Sequence, residues 1–274
     1  MIYLFLSILC SVAVANLLKL FSKKEPVSGL YIFLGNYLVA SVIGWLFTIN
    51  SEFSIHPSDI LISGVSGLFF LMGFIYYLKN ISKNGLSISV STFRMSLIIP
   101  ISGSMVIFHE FLSIVNYLGI ILIVLSFLLL GSEKKKYDLL LLTILFFIAG
   151  FADFFPKIYK HYGNHNPDSV FLMLNFIFAF FFNILFIILK KTKFSTLSFF
   201  FGLLLGIPNF FTAFFLMKAF NTVAGTMAYP VLSSSIVILT MATDYFIWKK
   251  RFTKKEYLIY SMILTGIILT VVSL

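Results

Sequence analysis

The sequence predicts an all-α membrane protein of ten transmembrane helices arranged as two inverted five-helix repeats, and three observations carry that expectation. Of 274 residues 60% are hydrophobic and 11% charged, with a mean hydropathy of +1.04. So few polar groups cannot cover a globular core with a wetted surface, and the chain needs lipid as its solvent. Ten apolar stretches then divide the chain, and its second half repeats features of the first at a nearly fixed offset.

A spanning helix needs about 20 mostly apolar residues. On that rule the first five helices cover 2–20, 29–49, 59–78, 84–107 and 113–131, and the second five cover 138–156, 168–189, 196–217, 222–247 and 255–273. The first stretch has no basic lead and no small-residue cleavage site before Lys23 and Lys24, so it is read as a membrane helix rather than a signal peptide. Pro26 with Gly29, His56 with Pro57, and Gly163 with Pro167 supply stop signals between helices. The run Glu133, Lys134, Lys135, Lys136 separates a first repeat, 1–132, from a second, 133–274. Short connections leave no room for a soluble domain.

Sliding the second half back by 139 residues lays Asn175 on Asn36, Gly202 and Gly206 on Ser63 and Gly67, and Lys218 on Lys79. The small-xxx-small spacing at 63 and 67 lets helix backbones approach closely in lipid. An offset of 140 pairs Ser113 with Thr253 and Tyr117 with Tyr257, and one of 137 sets Ala15 and Asn16 over Ala152 and Asp153.

Five helices per repeat force the second copy to lie upside down, so equivalent loops should carry opposite charge. The loop after helix 2 holds Glu52 and Asp59 with no Lys or Arg, and its counterpart after helix 7 holds Lys190, Lys191 and Lys193. His109 and Glu110 follow helix 4, whereas Lys249, Lys250, Arg251, Lys254 and Lys255 follow helix 9. Odd-numbered loops hold 15 of the 20 basic residues; the even-numbered ones hold only Lys157, Lys160 and Lys218. That bias puts both termini outside, in a multi-pass protein expected in the inner (cell) membrane of a bacterium.

The net charge of +10 is scattered in short runs between apolar stretches. A nucleic-acid partner, which needs a basic face, is therefore not expected. Cys10 is the single cysteine and lies in the first apolar stretch, so no intrachain disulfide or thiolate metal framework is implied. His161 and His165 have i,i+4 spacing with Asp168 nearby, but Gly163 and Pro167 argue against a helical zinc face, and no metal is expected there. No G-x-S-x-G, H-E-x-x-H or Walker motif occurs, so neither an enzyme nor ATP-driven chemistry is expected. No cofactor is implied.

Local motifs give the architecture a family likeness. Tyr77-Leu78-Lys79-Asn80 runs into Gly85 and Ser91, and Met217-Lys218-Ala219-Phe220 runs into Gly225, Tyr229 and Pro230. Glu110-Phe111-Leu112-Ser113 is followed by Asn116 and Gly119. With these the whole chain resembles the drug/metabolite transporter superfamily in its ten-helix EamA-like branch, whose third and eighth helices end in an A-L-K-like motif and whose fifth begins E-R-L-S-x-x-Q-x-x-G. The second copy departs from the pattern, reading Lys250-Arg251-Phe252-Thr253 without the Glu. The resemblance implies a secondary carrier of a small metabolite, with efflux suggested by the family name and many relatives keeping both termini in the cytoplasm. A lipid flippase or an accessory membrane subunit would share the architecture. Membrane lipids and a small-molecule substrate are the expected partners, proton or ion coupling and a homodimer being compatible with the sequence.

Inverted-repeat carriers hold substrate near the bilayer midplane at the repeat interface, so polar groups deep in helices are the candidates. Arg94 is expected about ten residues into helix 4, roughly 15 Å deep at 1.5 Å per residue, near the centre of a core about 30 Å thick. An ionised group there costs at least about 2.5 kcal/mol on insertion scales and should face a cavity. Its guanidinium can hold a carboxylate or phosphate through two parallel hydrogen bonds, or be tied instead to carbonyls or to Asp153. Asp153 in helix 6, matched to Asn16 in helix 1, could exchange a proton with substrate or pair with Lys157. Lys19, Asn36, Asn175, Asn209 and Tyr229 are further candidates, the last two beside Pro208 and Pro230, which remove helix hydrogen bonds. Amino acids and related organic acids head the expected substrates.

Overall fold

The computed structural model describes residues 1–21, 28–84, 86–130, 137–164, 166–249 and 251–271, without the side chains of 86–88, 91, 130 and 271. Lys23, Lys24, Pro26, Gly85, Glu133, Lys134, Lys135, Lys136, His165, Lys250 and the side chain of Ser91, singled out above, lie outside the described residues. The described chain forms helices α1 (Ile2–Phe21), α2 (Gly29–Thr48), α3 (Pro57–Asn84), α4 (Leu86–Met95), α5 (Ile98–Phe108), α6 (Ile114–Leu130), α7 (Leu139–Tyr162), α8 (Asp168–Lys190), α9 (Thr196–Ala219), α10 (Gly225–Phe246) and α11 (Lys254–Val271). It is an all-α membrane protein. Seven of these helices, α1, α2, α3 and α7 to α10, are each long and apolar enough to cross a bilayer. Leu118, Ile121, Leu125 and Leu128 recur at helical spacing on α6 and all are exposed, a stripe suited to hydrocarbon and unsuited to water.

One expected helix is broken, and α3 and α7 run on to Asn84 and Tyr162, past the expected ends at 78 and 156. The stretch 84–107 is not continuous: α4 stops at Met95 and α5 starts at Ile98. Pro100 has no N–H to offer the carbonyl of Ser96 and its ring crowds that carbonyl. The backbone adapts with bonds spaced three residues apart, Leu97 N–H to Arg94 O at a long 3.4 Å and Ile99 N–H to Ser96 O at 2.9 Å. Arg94 therefore stands in the last turn of a half-helix, where a cation meets the partial negative charge of free carbonyls. Pro156, Pro208 and Pro230 lie inside α7, α9 and α10, which run on through them.

The chain forms two compact units that do not follow its two halves. Apart from Met1, unit one comprises Tyr76–Asp153 and Phe220–Leu274, and unit two comprises Ile2–Ile75 and Phe154–Ala219. In unit two, α2 packs against α8 and α9, and α1 against α9. Glycines set the separations: a Cβ on Gly202 would lie 2.1 Å from Ile32 O, and one on Gly206 would lie 2.7 Å from Asn36 O. A Cβ on Gly67 of α3 would lie 2.6 Å from Asn175 O. Moving positions 36 and 67 by 139 gives 175 and 206, so Asn36 with Gly206 and Asn175 with Gly67 are one contact made twice.

In unit one, α6 packs on α11, α10 on α5 and α11, and α4 on α6. The start of α6 is a reciprocal cap, Ser113 N–H to Asn116 Oδ1 at 3.1 Å and Asn116 N–H to Ser113 Oγ at 3.3 Å. Thr253 and Glu256 build the same cap on α11, at 2.8 and 3.2 Å, which is the arrangement of 113 and 116 moved by 140. Asn116 Nδ2 also donates to Thr270 O at 2.8 Å, and a Cβ on Gly119 would lie 2.7 Å from Gly266 O. Ser113, Asn116 and Gly119 of the motif that begins at Glu110 thus have packing or capping duties in this unit.

Candidate functional site

Unit one gathers Arg94, Asp153, Tyr229 and Tyr77. Gly150 makes this possible: its missing side chain admits α5 and the α4 break, since a Cβ there would lie 2.4 Å from Ile99 Cδ1 and 2.8 Å from Ser96 O. Asp153 is three residues further along α7, on the same face. Arg94 and Asp153 are within electrostatic reach of each other, as are Arg94 and Tyr77 of α3. Both Arg94 and Asp153 are half-buried. Among the described residues neither side chain makes a hydrogen bond, and the Arg94 guanidinium rests 5.8 Å from the Phe93 ring centre. Phe93 in turn meets the Tyr77 ring at 5.1 Å.

Tyr229 is buried and fixes the other side of this group. Its hydroxyl donates to the backbone carbonyl of Asp153 at 3.0 Å, and its ring meets Phe220 at 5.4 Å. The start of α10, one turn earlier, is held by Glu110, whose Oε2 accepts from Gly225 N at 2.6 Å and Thr226 N at 3.4 Å. A carboxylate at a helix N-terminus satisfies orphan donors and complements the dipole.

The other candidates lie in unit two. Asn16 is half-buried and donates to Val12 O within its own helix at 2.9 Å. Asn36 is fully buried with neither amide atom hydrogen-bonded, Asn175 has an unpartnered Oδ1, and Asn209 an unpartnered Nδ2. A buried polar atom without a partner costs about 1 to 3 kcal/mol. Tyr37, Ser63 and Ser66 carry buried hydroxyls in the same condition in this unit. The interhelical hydrogen bond expected of a membrane Asn is instead made by Asn183, to Leu30 O at 2.8 Å.

Sequence reading found Arg94, Asp153 and Tyr229 by the cost of polarity in a bilayer. It missed Tyr77, Gly150 and the capping duty of Glu110. Pro100 was the available sign of the break; nothing in one sequence marks Gly150 as the seat of that break.

These features fall within a known class. Residues 136–272, half of the chain, match the EamA-like transporter family. The chain belongs to that family, whose members are membrane transporters of the drug/metabolite superfamily. A Haemophilus influenzae protein described as uncharacterized is 28% identical over 272 residues, spanning 93% of this chain and 92% of that one. A solved crystal structure superposes with a TM-score of 0.75 at 13% identity, covering 99% of this chain and 97% of the other, which shows the shared fold.

Proposed function

We propose that the protein is a secondary transporter of a small, amino-acid-like or otherwise anion-bearing metabolite, held by Arg94 and Asp153 and moved by alternating access between two inverted five-helix repeats. The observation that carries this reading is the state of the two charges: half-buried in unit one, within electrostatic reach, and neither committed to a hydrogen bond. A structural pair would close into a direct bidentate contact, because leaving both ions under-solvated is costly. Kept apart, they suit a zwitterion, with its carboxylate on the guanidinium fork and its ammonium on Asp153. Proton or cation exchange at Asp153 would supply the coupling.

The contacts that repeat at offsets of 139 and 140 support the duplication, since a copied sequence that keeps its fold makes each contact twice. The Lys and Arg bias supports outside termini in a bacterial inner membrane. Thermal stabilisation of the purified protein across a panel of metabolites, run beside Arg94→Gln, tests the site. Stabilisation by one anionic or zwitterionic class that disappears in the variant is expected. Identical hits in both proteins would make Arg94 structural, and stabilisation by lipids alone would favour a flippase.

A further inference from the structure

The three basic residues that break the charge bias, Lys157, Lys160 and Lys218, all fall in unit two. Two of them meet around one acid. Lys160 of α7 donates to Asp168 Oδ1 at 2.6 Å, and Lys218, in the last turn of α9, holds its Nζ 3.9 Å from Asp168 Oδ2. Lys157, one turn before Lys160, is buried.

The cluster is unfinished in two ways. Asp168 is only 6% exposed, yet its Oδ2 accepts no hydrogen bond. Lys218 donates no hydrogen bond among the described residues and rests its ammonium 5.6 Å from the Phe214 ring centre. The carboxylate of Asp59 accepts from His56 N at 3.0 Å, Asn166 Nδ2 at 2.9 Å and Asn164 N at 3.2 Å, and the two ammonium groups pair with Asp168 rather than with it. Two ammonium groups against one carboxylate leave a net positive charge with an open acceptor beside it. A structural salt bridge would place neither feature there, because a buried carboxylate oxygen without a donor is costly.

We propose that Lys160, Lys218 and Asp168 form a second ligand station for a small carboxylate carrying a hydroxyl or ammonium on the adjacent carbon. The carboxylate lies on the two ammonium groups, and the neighbouring donor bonds Asp168 Oδ2. This rests on the reading of the protein as a carrier of anion-bearing metabolites and adds a site outside the Arg94 unit.

The test is titration calorimetry on the full chain in phosphatidylcholine nanodiscs, with lactate, alanine and acetate as probes, for the native protein, Lys218→Met, Lys218→Arg and Arg94→Gln. Lactate and alanine should bind at least ten-fold more tightly than acetate, which lacks the adjacent donor. Measured in the Arg94→Gln background, which removes the first site, Lys218→Met should lose at least ten-fold in affinity and Lys218→Arg should keep most of it. Equal affinity in that background with and without Lys218→Met, equal binding of acetate, or no binding of any probe would overturn the station. So would a heat that appears only on adding phosphatidylglycerol, which would assign the lysines to a lipid headgroup. Uptake by proteoliposomes separates the two readings: loss in Arg94→Gln with probe binding unchanged when Lys218→Met is added to it removes the station and keeps the carrier, and probe binding without any uptake does the reverse.

Discussion

Gly64 and Gly67 lie one turn apart on α3, and replacing each with alanine should have opposite effects. At Gly64 the nearest atom to a new Cβ is Phe178 Cε2 at 3.6 Å, an ordinary contact. Alanine there gains helix propensity, worth up to about 1 kcal/mol. At Gly67 the new Cβ would lie 2.6 Å from Asn175 O and 2.9 Å from Ala179 N, both backbone atoms of α8. Relief requires the helices to separate by about half an ångström, and overpacking of this kind costs about 1 to 3 kcal/mol. For a protein of this size about 2 kcal/mol corresponds to a Tm lowered by about 4 to 8 °C. Gly206→Ala, with its Cβ 2.7 Å from Asn36 O, should fall by a similar amount, being the same contact moved by 139 residues. Scanning fluorimetry on the purified variants reads all three. A Gly67→Ala protein as stable as Gly64→Ala would refute the close-approach argument, and a drop confined to Gly67→Ala or to Gly206→Ala would refute the equivalence.

Glu110→Gln keeps the shape of the α10 cap but removes its charge, and should lower stability by about 0.3 to 1 kcal/mol, read as a small fall in Tm. Tyr229→Phe deletes the bond to the Asp153 carbonyl and should cost about 1 kcal/mol by the same measurement. Asp138, ahead of α7, has its carboxyl held below its usual 3.8, first by the hydrogen bond from Lys83 and then by the N–H of Leu141. A lowered folded pKa means that this contribution is present above about pH 4 and is lost as pH falls through the folded value. Lys83→Met should therefore move the Asp138 titration upward, seen by NMR of the labelled carboxyl, and reduce the loss of stability on acidification below about pH 4.

Hydrophobic runs and their punctuation determined that the chain is helical and the order of its apolar segments, though not the break between α4 and α5 or the length of α3 and α7. In lipid every backbone polar group must be satisfied within the segment, so an apolar stretch of sufficient length has few alternatives to helix. The offsets of 139 and 140 were also legible, since Asn36, Gly67, Ser113 and their partners are read as pairs before any contact is known. Arg94, Asp153 and Tyr229 were legible as candidates by the same solvent argument.

Tertiary structure alone decided what these residues meet. The break that follows Arg94 brings Ser96 and Ile99 against Gly150 of α7, a meeting of positions about 50 apart that no periodicity encodes. The division into units that cross the halves of the chain, and the gathering of Lys160 and Lys218 around Asp168, likewise come from packing between distant helices. Local sequence carries the pattern of burial in lipid; which faces share a neighbour is settled only when backbones approach at glycines and the polar groups left over find each other.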